Sequence, residues 1–267
     1  MIRRPLAVVA VGALLLAGCA KSTPGTRALD ATQDKLDEVR SGTLSLQLLA
    51  SSTDAPEGTG AGFLLEGPFA VGAEEGSLPV ADLRFTRITG PDRHTTRFIS
   101  TGSRAFVEVG GDVTELTDEQ LADLRVRDGA STEGLEGLTL TRWLDEPSVG
   151  PGPEVDGAPT EQVTGKADAV AILNDVIGLL DQFGTGQDGV ERLEGDAADR
   201  VRRAVASAGA EVVTGRDDRL LRRANASVDL AVADPEVRKA LGDLAGARLA
   251  LSLEVTNLNQ PVEVGAP

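Results

Sequence analysis

One cysteine, one histidine, one tryptophan and no tyrosine occur in the 267 residues, and each shortage closes off a chemistry. With Cys19 the sole thiol, no disulfide can form within the chain, and the core must hold by packing alone. Nucleophilic hydrolysis needs a base beside a serine or thiol. The single His94 falls in a predicted strand, and no Gly-x-Ser-x-Gly elbow exists: around Ser103 the flanking positions are Thr101 and Ala105. Softer metals want clustered His or Cys, and neither clusters here. Cations are also scarce, with 26 Lys and Arg against 42 Asp and Glu and a net charge of −16. Such a surface repels phosphate backbones and membrane headgroups alike, and no basic stripe with interleaved aromatics is present. Nucleic-acid binding is therefore not expected.

Long apolar runs are missing too, except at the N-terminus. Arg3 and Arg4 precede an apolar stretch from Pro5 to Ala17 that ends at Leu16-Ala17-Gly18-Cys19. A transmembrane helix needs about 20 apolar residues, so this stretch reads as a signal peptide. Small residues at Ala17 and Gly18 suit cleavage before Cys19, whose thiol can accept a diacylglycerol. The expected organisation is a lipoprotein signal peptide over residues 1–18, a lipidated tether over 19–27 and one domain over 28–267. Removing the first 18 residues takes away two arginines and no acid, so the mature chain is more acidic still. A lipid on Cys19 then has to supply membrane attachment, on the extracytoplasmic face, without help from charge. The alternative is an ordinary signal peptide with a chance cysteine at its end.

Beyond the tether, hydrophobic periodicity predicts an α+β protein. Leu29, Leu36 and Val39 share one face of a helix over about 28–40, and from Gly42 the period falls to two, with Leu44, Leu46 and Leu48 alternating with Ser45 and Gln47. Strands are expected over 62–69, 80–88, 93–101 and 104–109, with Gly110-Gly111 turning into Val113, an antiparallel meander. Thr117 and Gln120 have capping-box spacing for a short helix through Leu124. A strand over 138–144 around Trp143 is expected to give way to an irregular Pro/Gly loop over 147–159. Then come a strand at 160–164, a helix over 167–182 with Val170, Leu173, Val176, Ile177 and Leu180 on one face, and a further helical pattern from Val190 to Val205. Strands over 210–214, 220–231 and 248–256, with a short helix at 234–241, close the chain.

Other motifs fail when tested against their chemistry. A calcium loop aligned on Asp181 and Gly186 has Phe183 and Arg192 where carboxylates are required. Gly58-Thr59-Gly60-Ala61-Gly62 has Phe63 in place of the third glycine of a dinucleotide loop. Asn225-Ala226-Ser227 matches a glycosylation sequon but sits in a predicted strand, and reads as chance.

Three stretches carry a family resemblance. The run from Asp156 to Asp168 entering a helix, the paired strands around the acidic turn of Glu211 to Leu220, and the ending Asn257-Leu258-Asn259-Gln260-Pro261-Val262-Glu263-Val264 resemble, together with the lipobox, the LppX/LprG family of actinobacterial lipoproteins. Only residues 184–208 look longer than that family carries. The resemblance implies a strongly curved antiparallel sheet, a half-barrel wrapped around helices, with an apolar cavity that accepts acyl chains. It brings no catalytic residue, cofactor or metal.

The expected function is thus binding or carriage of a lipid, glycolipid or lipoglycan by a monomeric, membrane-anchored protein of the cell envelope, not an enzyme. The candidate cavity residues are Leu44, Leu46, Leu48, Phe63, Leu65, Leu83, Phe85, Val107, Val228, Leu230, Leu251 and Leu253, with Trp143 at the mouth or in the core. The alternative is an envelope interaction or stress-sensing module in which these faces pack on the helices alone and hold no ligand.

Overall fold

The computed structural model describes residues 22–53, 60–72, 78–121, 135, 137–182, 192–231 and 246–267. Eleven strands form one antiparallel sheet: β1 (Ser41–Ser52), β2 (Ala61–Ala70), β3 (Val80–Thr89), β4 (Asp92–Thr101), β5 (Ala105–Val109), β6 (Asp112–Glu115), β7 (Leu144–Pro151), β8 (Thr160–Ala167), β9 (Val205–Gly215), β10 (Leu221–Ala231) and β11 (Gly246–Thr256). Their order is β6-β5-β4-β3-β2-β1-β11-β10-β9-β8-β7. Every neighbour is the next strand in sequence except where β1 meets β11, so two meanders join along one seam. The sheet is open between the edge strands β6 and β7. It is the curved half-barrel wrapped around helices that the sequence implies.

Helix α1 (Pro24–Gln33) starts with Thr23, whose hydroxyl accepts from the Thr26 N–H, and with proline in the first turn. Residues 24–27, read from sequence as tether, are therefore its first turn, and a 3-10 turn at Leu36–Glu38 replaces the expected continuation to Arg40. The helix buries the narrow face Gly25, Ala28, Leu29 and Thr32 against β7, β8 and β9. A Cβ on Gly25 would stand 2.1 Å from the Pro147 carbonyl oxygen, so only glycine allows that approach. At the other end the Thr32 hydroxyl donates to the Thr214 hydroxyl of β9, 2.9 Å away.

Helix α2 (Ala169–Gln182) is capped by Asp168, whose Oδ1 accepts from the N–H groups of Val170 and Ala171. It buries Ala169, Val170, Ile172, Val176 and Leu179, while Leu173 and Ile177 are only half-buried, so the packed face is rotated from the expected one. Helix α3 (Gly195–Ala204) packs on α2 and β10. The Thr117 capping box is present: its N–H donates to Gln120 Oε1, and Gln120 N–H donates to its hydroxyl. The expected helix end at Leu124, the helix over 234–241, most of the calcium-loop segment, the signal peptide and Cys19 lie outside the described residues.

One stretch departs from expectation. Residues Leu140–Arg142 form a 3-10 turn rather than a strand, and the Pro/Gly segment taken for a loop contains β7. Prolines are tolerated there because β7 is an edge strand, and because a bulge at Glu146, with φ of 49°, interrupts pairing with β8 between Asp145 and Ser148 beside Pro147.

Candidate functional site

The inner face of the sheet can be traced strand by strand from the register. One row crosses Val107, Phe98 and Leu83, and at β2 and β1 Gly67 opposes Leu44, which opposes Val255. The next runs Thr96, Phe85, Leu65, Leu46, Leu253, Ala224, Val212 and Val163. A third runs His94, Arg87, Phe63, Leu48, Leu251 and Ala226. All the candidate strand residues lie on this face, because alternation along a strand fixes the side once one residue is placed. Gly67, at φ of 139°, lets β2 and β3 close up, since a Cβ there would meet the Asp82 carbonyl oxygen at 2.0 Å.

Burial divides the candidates into two groups. Leu46, Leu48, Phe63, Leu65, Trp143, Val228, Leu251 and Leu253 are buried in the main core with Leu29, Leu138, Ile172 and Val176. Trp143 and Val228 are 0% exposed, which leaves no water-sized void against them. In contrast Leu44, Leu83, Phe85, Val107 and Leu230 are half-buried. Three of these follow each other on β3 to β5, with Phe98 between them, and the principal packing of α1 and α3 on the sheet lies far away on β7 to β10. Phe85 stacks on Phe63, ring centroids 5.5 Å apart. Sequence reasoning overlooked Phe98, because its same-face neighbours Thr96 and Ser100 are polar and mask the period-two apolar signal.

Trp143 belongs to the closed side. Its indole N–H donates to Asp175 Oδ2 at 2.7 Å, and the Thr139 N–H donates to the same oxygen at 2.6 Å. Burial pushes the Asp175 carboxyl above the usual range, the two donors working against that shift. This link ties the 3-10 turn to α2 and fixes the helical plug. Asp175 gave no sequence signal, since an acid within a helix is ordinarily solvated.

The outer face is largely polar, although Ile88, Ile99 and Phe106 are buried on it at β3 to β5. Arg97 Nε and Nη2 donate to both oxygens of Asp82, and Nη1 reaches Glu108. These contacts, the Arg97 hydrogen bond first, hold the Asp82 carboxyl below its ordinary range. Asn225 of the sequon donates to Glu211 and accepts from the Ser252 hydroxyl, so it is a rung of a cross-strand ladder. His94 is exposed and lies opposite Arg87. A concavity of about 350 Å³ opens elsewhere, between Thr43, Pro68, Asn257 and Pro261, and none of the candidate cavity residues lines it. Among the described residues no three potential metal ligands cluster, and no helix is long and apolar enough to cross a membrane.

No protein-family model and no curated protein matches the chain. Among solved structures it is similar to LprF from Mycobacterium bovis, with a TM-score of 0.51 and 12% identity over 91% of this chain and 96% of that one. It also aligns with the Mycobacterium tuberculosis lipoprotein LppX, at 16% identity and a TM-score of 0.43 over 90% and 97% of the two chains. At these identities the likeness to LprF is one of fold, and it is the fold the sequence resemblance implies.

Proposed function

We propose that this chain, built on the fold of the LppX/LprG family, is a monomeric lipoprotein anchored through Cys19 to the extracytoplasmic face of the cell membrane, whose single domain holds lipid or glycolipid acyl chains on the open part of its inner face. One observation carries the reading: the apolar run Leu83, Phe85, Phe98 and Val107 is half-buried on the concave side of the sheet, where aliphatic and aromatic side chains gain by being covered. Acyl chains laid along this row would complete the core that the helices complete elsewhere. Carriage of this kind requires no catalytic group, and none is assigned.

The second reading, an envelope interaction module without ligand, draws on the packed state of Leu46, Leu48, Leu251 and Leu253. Lipid extracted from the purified full chain carrying Cys19→Ser, and identified by mass spectrometry, separates the two. Copurifying acyl lipid is the expected result; a lipid-free protein that also takes up none from vesicles favours the interaction module. The same substitution tests the anchor, since it should release the protein from the membrane or leave it unprocessed.

A further inference from the structure

Beside the open apolar row the inner face carries a pair of cationic or donor side chains. Arg87 and His94 are directly opposed across β3 and β4, both exposed, on the face of Phe63 and Phe85. Arg87 also pairs across β2 with Phe63, so its guanidinium stem adjoins the stacked rings. Among the described residues Arg87 makes no hydrogen bond and no ion pair, whereas the outer-face Arg97, Arg223 and Arg248 are each held by a carboxylate. The chain is strongly acidic overall, yet its β3–β4 hairpin carries Arg84, Arg87, Arg93 and Arg97 against Asp82 and Asp92. On the inner side of that hairpin His94 stands between Asp92 and the apolar row, and the exposed Asp112 lies on the edge strand β6. Apolar surface and an unneutralised guanidinium in adjacent rows suit one kind of ligand, an amphiphile with an anionic head.

We propose that Arg87, with His94 as a second donor, is the headgroup site for a phospholipid of net negative charge, as opposed to a zwitterionic one, whose acyl chains lie along Phe85, Leu83, Phe98 and Val107. This rests on the carrier reading above and adds the class of cargo. A guanidinium offers two parallel N–H donors to a phosphate, and an imidazole N–H offers another. The charge of the whole molecule disfavours docking on an anionic membrane surface, but it leaves this local pair free to select a single lipid.

The test uses the full chain carrying Cys19→Ser, incubated with vesicles of phosphatidylcholine alone or of phosphatidylcholine and phosphatidylglycerol in equal parts. Protein-bound phospholipid of each class is then measured after gel filtration. Enrichment of phosphatidylglycerol over its share in the mixed vesicles is expected. Arg87→Gln should reduce the ratio of bound phosphatidylglycerol to bound phosphatidylcholine by about tenfold, the value of a lost charged hydrogen bond, and Arg87→Lys should restore part of it. Phosphatidylcholine uptake should be unchanged in both variants. Melting by circular dichroism checks that these exposed substitutions leave folding intact. Equal uptake of both lipids, unaltered by Arg87→Gln, overturns the headgroup site and leaves the carrier reading standing. Uptake of neither lipid overturns both. Inorganic phosphate competing fully with phosphatidylglycerol, without acyl lipid ever being retained, would make this a free-anion site and also overturn the proposal.

Discussion

The two ends of the same sheet face are finished in different ways. From β1 across β11 to β8, inward residues such as Leu253, Ala224, Val212 and Val163 are buried to 1% exposure or less, because α1, α2 and the turn at Trp143 lie over them. From β3 to β5 the inward residues are mixed: Ala81, Ser100 and Ala105 are fully buried beside Leu78 and Leu121; Leu83, Phe85, Phe98 and Val107 keep part of their surface exposed; and Thr96, His94 and Arg87 are polar. For the apolar residues the element stacked on top separates the two regions, and the open side alone adds polar inward residues, Thr96, His94 and Arg87. A concave sheet can thus carry a finished core at one end and an unfinished one at the other, and the unfinished end is where a ligand can contribute.

Truncation should break this symmetry most strongly. Trp143→Ala removes a fully buried ring from the closed side and should cost about 3 to 5 kcal/mol, measured by the denaturant midpoint. Phe85→Ala on the open side should cost about half that or less, while bound lipid falls. Equal costs would mean that the open side is as tightly packed as the closed one.

Enlargement gives the reverse contrast. Leu46→Trp should overpack the closed side by about 1 to 3 kcal/mol. Leu83→Trp has room, and should leave the midpoint nearly unchanged while displacing acyl chains. If Leu46→Trp is harmless and expels lipid, the cavity extends under β1.

The Asp175 link sharpens the account of the closed side. Asp175→Ala strands the Trp143 and Thr139 N–H groups and should cost about 1 to 3 kcal/mol, whereas Asp175→Asn keeps an acceptor. Because burial raises the folded-state pKa of Asp175, its contribution is most favourable at low pH and is lost as pH rises through that elevated value. The Asn variant should therefore lose less stability than wild type over that interval, seen in melting temperature against pH.

The smallest effect belongs to the outer face of the open side. Asp82 is held low by Arg97, so its contribution is present above the ordinary carboxylate range and disappears as pH falls through the depressed value. Asp82→Asn should cost about 1 kcal/mol or less at neutral pH, as befits a part-exposed pair, and almost nothing in acid. A large neutral-pH loss would show that the outer face, rather than the core, holds the open side together.

Much of this architecture is legible in the chain. The alternation of Leu44, Leu46 and Leu48 places β1 and its inner face, and the same rule holds on β2, β3, β5, β10 and β11. It fails at β7, where Pro147 and the glycines speak against a strand and only the edge position and the bulge at Glu146 permit one. It also misplaces the start of α1, because the first turn after the Thr23 cap buries only the small Gly25 and Ala28 before Leu29 gives a hydrophobic signal.

By itself, then, the sequence determined most of the strands and the side on which their apolar residues fall, since periodicity is a property of neighbours along the chain. Only the tertiary structure decided which inward residues are core and which remain open. Burial depends on what distant segments bring across the sheet: Trp143 is sealed by Asp175 of α2, while Leu83 and Phe98, opposed on β3 and β4, keep part of their apolar surface open.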